Sequence, residues 1–195
     1  MPELALTMAA DRTETDGQAG ADENLLLKLA KTGDATAFEG ILIRHERLVY
    51  RTAFRLLGRM EDAQDAAQEA FLRLHKHLRR FDESRALVPW LYRITVNVCR
   101  DIEARRRRNR TLPLDDAAAE PCLGVGIDER RVLERALARL PDKERAAIVL
   151  RDVEGLSTRE VARLLGSSES TVRSQISSAR LKIRQFAGRL FGRMA

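Results

Sequence analysis

The sequence has 195 residues, 33% of them charged and 44% hydrophobic, which suits one ordinary globular domain or two small ones. No apolar run approaches the ~18 residues of a membrane span. The first twenty residues also lack the basic start and long apolar centre of a secretory signal, so a cytoplasmic protein with no membrane insertion is expected. A net charge of +6 and a pI near 9.9 fit a polyanionic partner. Cys99 and Cys122 stand far apart with no CxxC and no neighbouring His cluster, which argues against a disulfide framework or a zinc site.

Apolar residues recur at three and four positions and no alternating stretch is sustained, so the expected fold class is all-α. Residues 1–21 are small, polar and acidic, a composition of disorder. A short helix is expected from about Asp22 to Lys31, stopped at Thr32-Gly33. Asp34 can cap a second helix whose stripe Phe38, Ile41, Leu42, His45, Leu48, Val49, Ala53, Leu56 ends at Gly58. His45 lies on that stripe and reads as a satisfied, half-buried histidine, since no Ser, Cys or acid pair is placed to use it.

A third helix, about Glu61 to Arg80, would bury Ala63, Ala67, Ala70, Phe71, Leu74 and Leu78, leaving Asp62, Asp65, Glu69 and Leu72 on the opposite face. After a loop from Phe81 to Pro89, a fourth helix would bury Leu91, Ile94, Thr95, Val98 and Ile102 and run into the cluster Arg105, Arg106, Arg107, Arg108, Arg110. From Asn109 to about Ile127 the periodicity fails, and Pro113, Asp115, Asp116, Pro121, Gly124 and Gly126 mark a flexible linker. A second helical group follows, from Asp128 to Leu140 and from Pro141 through Val153, with Gly155 as a stop. The expected organisation is an extension (1–21), a helical domain (22–108), a linker (109–127), a second helical domain (128–190) and a tail (191–195).

The end of the chain carries a helix-turn-helix. Ser157 and Glu160 have the spacing of a capping box, Val161, Leu164 and Leu165 supply an inner face, Gly166 permits a left-handed turn, and Ser167 or Ser168 can cap the last helix. In that helix Val172, Ile176, Ala179, Ile183 and Phe186 share a stripe, leaving Ser170, Thr171, Arg173, Ser174, Ser177 and Arg180 outside. From Ser157 onward eight basic residues face only Glu160 and Glu169. Such a helix fits the major groove, where its first turns meet base edges and its cations neutralise phosphates. A plain helical hairpin with solvated charges is the alternative, and the agreement of turn, caps and charge weighs against it.

Four segments carry a family resemblance over about Asp22 to Arg189: Gly33-Asp34-Ala35-Thr36-Ala37-Phe38, Asp65-Ala66-Ala67-Gln68-Glu69-Ala70-Phe71, Trp90-Leu91-Tyr92-Arg93-Ile94-Thr95-Val96-Asn97, and Leu140-Pro141 with the helix-turn-helix and its Thr171-Val172-Arg173-Ser174. In this order and spacing the chain resembles the extracytoplasmic-function (ECF) group of bacterial sigma-70 factors. The resemblance implies two small helical domains, regions two and four, a linker that runs through the polymerase, and no catalytic residue or cofactor. The implied partners are core RNA polymerase, through the β′ clamp helices and the β flap, then promoter DNA and an anti-sigma protein.

The resemblance also sorts the candidate residues. Asp65, Gln68, Glu69 and Leu72 form a polar face with one exposed leucine, suited to docking on a basic helix with an apolar anchor; the resemblance assigns this face to the clamp helices, and a solvated acidic face is the alternative. Trp90, Arg93, Asn97 and Arg100 follow at helical spacing and offer an aromatic, an amide and two cations to a single strand. With the loop Phe81 to Pro89, which could wall a pocket for a flipped base, they are implied to read the minus-ten strand. Trp90 near a helix start is more often packing than stacking. The Arg105 to Arg110 cluster reads as phosphate binding or a solvated helix end, and its nearness to the stripe favours the first. Ser170, Thr171, Arg173, Ser174, Ser177 and Arg180 are implied to read the minus-thirty-five duplex, where Gln175, Ser177 and Ser178 replace basic residues common in the family. Two rivals remain: a stand-alone regulator, for which no ligand pocket is visible, and a nucleic-acid enzyme, for which no acid pair, metal spacing or activated nucleophile is visible.

Overall fold

The computed structural model describes residues 22–109 and 129–191. The extension 1–21, the linker over 110–127 with Cys122 and Arg110, and the tail from 192 lie outside the described residues. Among the described residues the elements are helices throughout: α1 (22–31), α2 (Ala35–Leu57), α3 (Met60–His77) with a single 3₁₀ turn (Leu78–Arg80), α4 (Leu87–Asn109), α5 (Glu129–Ala138), α6 (Asp142–Ile148), a π-helical turn (Val149–Val153), α7 (Thr158–Leu165) and α8 (Glu169–Phe191).

Local chemistry sets the boundaries. The Asp34 carboxylate accepts from the Ala37 N–H at 3.0 Å and so satisfies one unpaired donor at the start of α2. Gly58 ends the same helix with φ +73°, a left-handed conformation that glycine adopts without steric cost, and its N–H donates to the Phe54 carbonyl. The fourth helix starts at Leu87, ahead of the expected end of the loop at Pro89. Proline is tolerated there because a first-turn N–H has no intrahelical partner to lose. Pro141 stands just before α6, and Gly155 has the expected positive φ of +78°.

Helices α1 to α4 form one group. The face that α3 turns inward is mostly alanine, Ala63, Ala66, Ala67 and Ala70, which lets it approach α2 closely before Phe71 and Leu74 fill the space beyond. Leu27 of α1, Ile41 and Val49 of α2, and Leu91 and Val98 of α4 are fully buried against them. Each such side chain contributes about 1.5–3 kcal/mol relative to exposure. His45 is buried on α2, as the stripe predicts, and is satisfied by the Glu23 carboxylate of α1 at 2.7 Å.

Helices α5 to α8 form the second group, with Val149, Leu150, Val161 and Val172 at its centre. The apolar core runs on between the two groups, through Leu56 and Leu57 of α2 and Leu137 and Leu140 of the α5 end. Arg145 sits at that junction. Its guanidinium donates to the carbonyls of Leu137, Ala138 and Leu140 and, at 2.6 Å, to Leu56, so one cation caps the carboxyl ends of α2 and α5 together.

Helix α4 is buried on two sides. Besides the expected Leu91, Ile94, Thr95 and Val98, it buries Tyr92, Val96 and Cys99. A single stripe from periodicity misses these, because the second covered side is created by tertiary packing.

Candidate polymerase and nucleic-acid interfaces

Alanine packing on α3's inner side leaves its outer side to Asp65, Gln68 and Glu69, with Leu72 60% exposed among them. Arg73 follows Glu69 by four positions, a spacing at which helical side chains meet. Its Nε donates to the Glu69 carboxylate at 2.7 Å and its terminal nitrogen donates to Asp101 of α4 at 2.9 Å. The bond to Glu69 is the largest cause holding the Arg73 proton more tightly than usual, against partial desolvation and with help from Asp101. Arg106 donates to Asp62 at 3.0 Å. The result is an open groove of about 890 Å³, with the acidic face and Leu72 on the α3 side and Arg105, Arg106 and Arg108 on the α4 side.

The stripe on α4 is in register with expectation: Arg93, Asn97 and Arg100 are all exposed. Trp90 behaves as the packing alternative describes. It is half-buried against the core and stacks on Phe81, ring centres 4.6 Å apart and planes 18° from parallel. The loop before it is ordered by two devices. Asp82 accepts from the Ser84 N–H at 3.1 Å and from its hydroxyl at 2.7 Å, bonds that lower the Asp82 pKa. Lys31 reaches over from α1 to donate to the Phe81 carbonyl at 3.0 Å and to Glu83 at 2.7 Å. Sequence reasoning missed Lys31, whose partners lie fifty residues on.

The helix-turn-helix forms as its residues dictate. Ser157 accepts from the Glu160 N–H at 3.3 Å, and Glu160 accepts from the Ser157 N–H at 2.8 Å and from its hydroxyl, which together hold the Glu160 pKa low. Gly166 turns the chain with φ +62°, and Ser168, of the two serines considered, caps α8 by accepting from the Thr171 N–H at 3.1 Å. Val172, Ile176 and Ala179 are buried, and Ser170, Thr171, Arg173, Ser174, Ser177 and Arg180 are all exposed. Several of these polar groups already have partners. The Ser170 and Thr171 hydroxyls share hydrogen bonds with Ser168, Arg173 donates to Glu169 at 2.9 Å, and Arg180 makes a bidentate pair with Asp152 at 2.8 Å. Lys182 is held likewise by Glu144, which also accepts from Ser178.

A polar centre that sequence reasoning missed joins the two helical groups. Glu154 follows the π-helical turn, where its N–H donates back five residues to Val149 at 2.9 Å. Its carboxylate accepts from Thr52 at 3.1 Å and Arg55 at 2.7 Å on α2, and from the Tyr92 hydroxyl on α4 at 2.9 Å. Burial first, and then Glu154, raise the Tyr92 pKa far above its ordinary value. The one available signal was an arginine and a threonine three apart on the inner side of α2, which calls for a buried acid without saying where it comes from. Cys99 is buried in α4, and burial, with Glu103 second, pushes its thiol well above the ordinary range, which leaves little reactive thiolate.

Comparison with known proteins agrees with this division of the chain. Residues 41–111 match Sigma-70 region 2 and residues 130–183 match Sigma-70, region 4. The chain is 38% identical over 166 residues to the ECF RNA polymerase sigma factor SigM of Mycobacterium tuberculosis, covering 85% of this chain and 84% of that one. It is 30% identical over 173 residues to the ECF RNA polymerase sigma-E factor of Escherichia coli K12, covering 81% and 90%. Among solved structures, CnrH in complex with the cytosolic domain of CnrY superposes with a TM-score of 0.64 at 27% identity, over 85% of this chain and 97% of that one. The sigma factor RpoE of Bartonella quintana, solved with the anti-sigma factor NepR, shares the fold with a TM-score of 0.65 at 22% identity, over 77% and 96%.

Proposed function

This chain belongs to the ECF group of sigma-70 RNA polymerase sigma factors, and on that premise we propose how its surfaces divide the work of promoter-specific initiation. The α3 face, Asp65, Gln68, Glu69 and Leu72, docks on the β′ clamp helices of core polymerase, with Leu72 as the apolar anchor inside a polar surround. The second domain, 128–190, takes the β flap and reads the minus-thirty-five duplex through Ser170, Thr171, Arg173, Ser174, Ser177 and Arg180. The first domain, 22–108, captures the unstacked minus-ten strand with Arg93, Asn97 and Arg100, while Trp90 and Phe81 form the wall beneath. The chain performs no chemistry itself, acts in the cytoplasm, and is controlled by an anti-sigma protein, the kind of partner with which RpoE of Bartonella quintana, similar in fold, was co-crystallised.

The observation that carries this reading is that one small domain presents both an acidic docking face with an exposed leucine and, on the next helix, an outward stripe of two arginines around an asparagine. A stand-alone regulator has no use for that pair. The test is reconstitution with core polymerase and promoter DNA. Asn97→Ala should bind core polymerase as the native chain does and reduce open-complex formation about tenfold, the equivalent of one good base contact. Equal melting by the variant removes Asn97 from its role, and failure of the native chain to bind core polymerase at low salt removes the whole assignment.

A further inference from the structure

The basic cluster at the end of α4 is one run in the sequence, and the fold sends its members different ways. Arg107 continues the helical line of Arg93, Asn97 and Arg100 and pairs with Asp142 of α6 at 3.1 Å. Arg106 turns to α3 and donates to Asp62 at 3.0 Å. Arg105 and Arg108 do neither. With Asp101 they recur at four and three positions, on a side of α4 roughly a quarter turn from the stripe at 3.6 residues per turn, and they line the groove that α4 forms with α3. Both are exposed, and neither has a carboxylate partner among the described residues. Arg105 makes a 3.4 Å bond to the Asp101 carbonyl of its own helix.

The opposite wall sets the requirement. On α3 Glu69 is held by Arg73, which also reaches Asp101, while Asp65 and Gln68 have no partner among the described residues and stand beside exposed Leu72. Half-buried Ile102 lines the same groove. A uniformly basic helix would meet Arg105 and Arg108 as like charges, and a uniformly acidic one would meet Asp65 in the same way, each at a cost. The groove therefore fits an element with cations along one side and carboxylates along the other, and with an apolar side chain between them against Leu72 and Ile102. We propose that Arg105 and Arg108 belong to the polymerase-docking surface and not to the DNA-binding one: they pair with carboxylates on the same β′ clamp helix whose cations meet Asp65 and Glu69. The proposal rests on the assignment of the α3 face to the clamp helices. It also fixes how that helix lies, because only one rotation about its axis presents each sign of charge to the wall that complements it.

The experiment titrates the full chain, labelled at its amino terminus, with core polymerase. At low salt Arg105→Glu with Arg108→Glu should weaken binding about tenfold or more, and the loss should shrink as salt rises. Carboxylates at the carboxyl end of a helix work against its dipole, so Arg105→Gln with Arg108→Gln, which keeps good helix formers at both positions, is measured beside it. This neutral pair should lose about threefold in affinity, and native affinity overturns the proposal. A second measurement separates polymerase from DNA. With core polymerase saturated by the neutral variant, promoter binding should keep the native slope of log K against log salt. A slope shallower by about 1.4–1.8, the loss of two neutralised phosphates, would place both arginines on DNA and overturn the proposal. Leu72→Glu in the same titration reports the underlying assignment. Native affinity there defeats the α3 docking face itself, whereas weakened binding by Leu72→Glu with native binding by the arginine variants defeats only the extension across the groove.

Discussion

The two surfaces assigned to DNA are restrained in opposite ways. On α4, the side chains of Arg93 and Asn97 make no ion pair or hydrogen bond among the described residues, yet α7 comes up beside their stripe, at Arg93 and at Arg100. On α8 the polar residues are open to solvent, yet Arg173, Arg180 and Lys182 each have a carboxylate within 3 Å. The first surface is limited by access and the second by charge already spent at home. An access restraint is removed all at once by a domain movement, whereas a charge restraint is removed one ion pair at a time, against phosphates that must outbid the local acid.

Three substitutions would break or sharpen that contrast. Leu91 is fully buried beneath both packed sides of α4. Leu91→Ala should destabilise the chain by about 2–5 kcal/mol in urea denaturation and, because the core is continuous across the domains, loosen α7 from the stripe in the same transition. Two well-separated transitions would show that the access restraint does not share the first domain's core. Asp152→Asn frees Arg180 from its bidentate pair, while leaving α7 beside the α4 stripe. Binding to upstream duplex should strengthen at low salt, and the slope of log K against log salt should steepen by up to about 0.9, one extra neutralised phosphate. An unchanged slope would mean that Arg180 faces no phosphate.

The smallest effect concerns the seam. The Glu103 carboxyl is pushed above its ordinary value, first by burial and then by Asp142, against Arg145, Arg107 and Arg106. The folded chain thus binds this proton more tightly than the unfolded chain. The associated stability is fully present below the ordinary glutamate pKa and is lost as the pH rises through the raised value. Glu103→Gln should accordingly raise Tm slightly at pH 7 and make no difference in acid, which a pair of melting curves at the two pH values checks. A fall in Tm at neutral pH would show that the ionised carboxylate earns its place beside Arg145, 3.8 Å away.

Most of what lies within one helix was legible in the sequence. Asp34, Gly58, the Ser157–Glu160 box and Gly166 act as predicted because capping depends on residues within a few positions. The outward positions of the α3 face and of α8 followed from the same periodicity that placed their partners inside. What was not legible depends on pieces far apart in the chain. Tyr92, Val96 and Cys99 are buried because a second domain or neighbouring helix covers them, and no stripe on α4 can announce that. The partners of Glu154 lie 62 to 102 residues away. The neutralisation of Arg180 comes from Asp152, across a turn and a helix. The start of α4 at Leu87 was hidden by reading Pro89 as loop, although proline at a first turn is compatible with either state.

The hold of Lys31 on the Phe81 carbonyl carries a lesson about ancestry. The recognisable region 2 homology begins at residue 41, yet the loop before α4, proposed to face the minus-ten strand, is fastened by a residue ten positions upstream, and Leu27 and Glu23 from the same short helix complete the packing around α2 and His45. Divergence in α1 could therefore retune how firmly the loop is set while every position inside the matched segment stays the same. Two relatives identical across that segment could still differ in promoter opening, and the cause would lie outside the part by which they are recognised as kin.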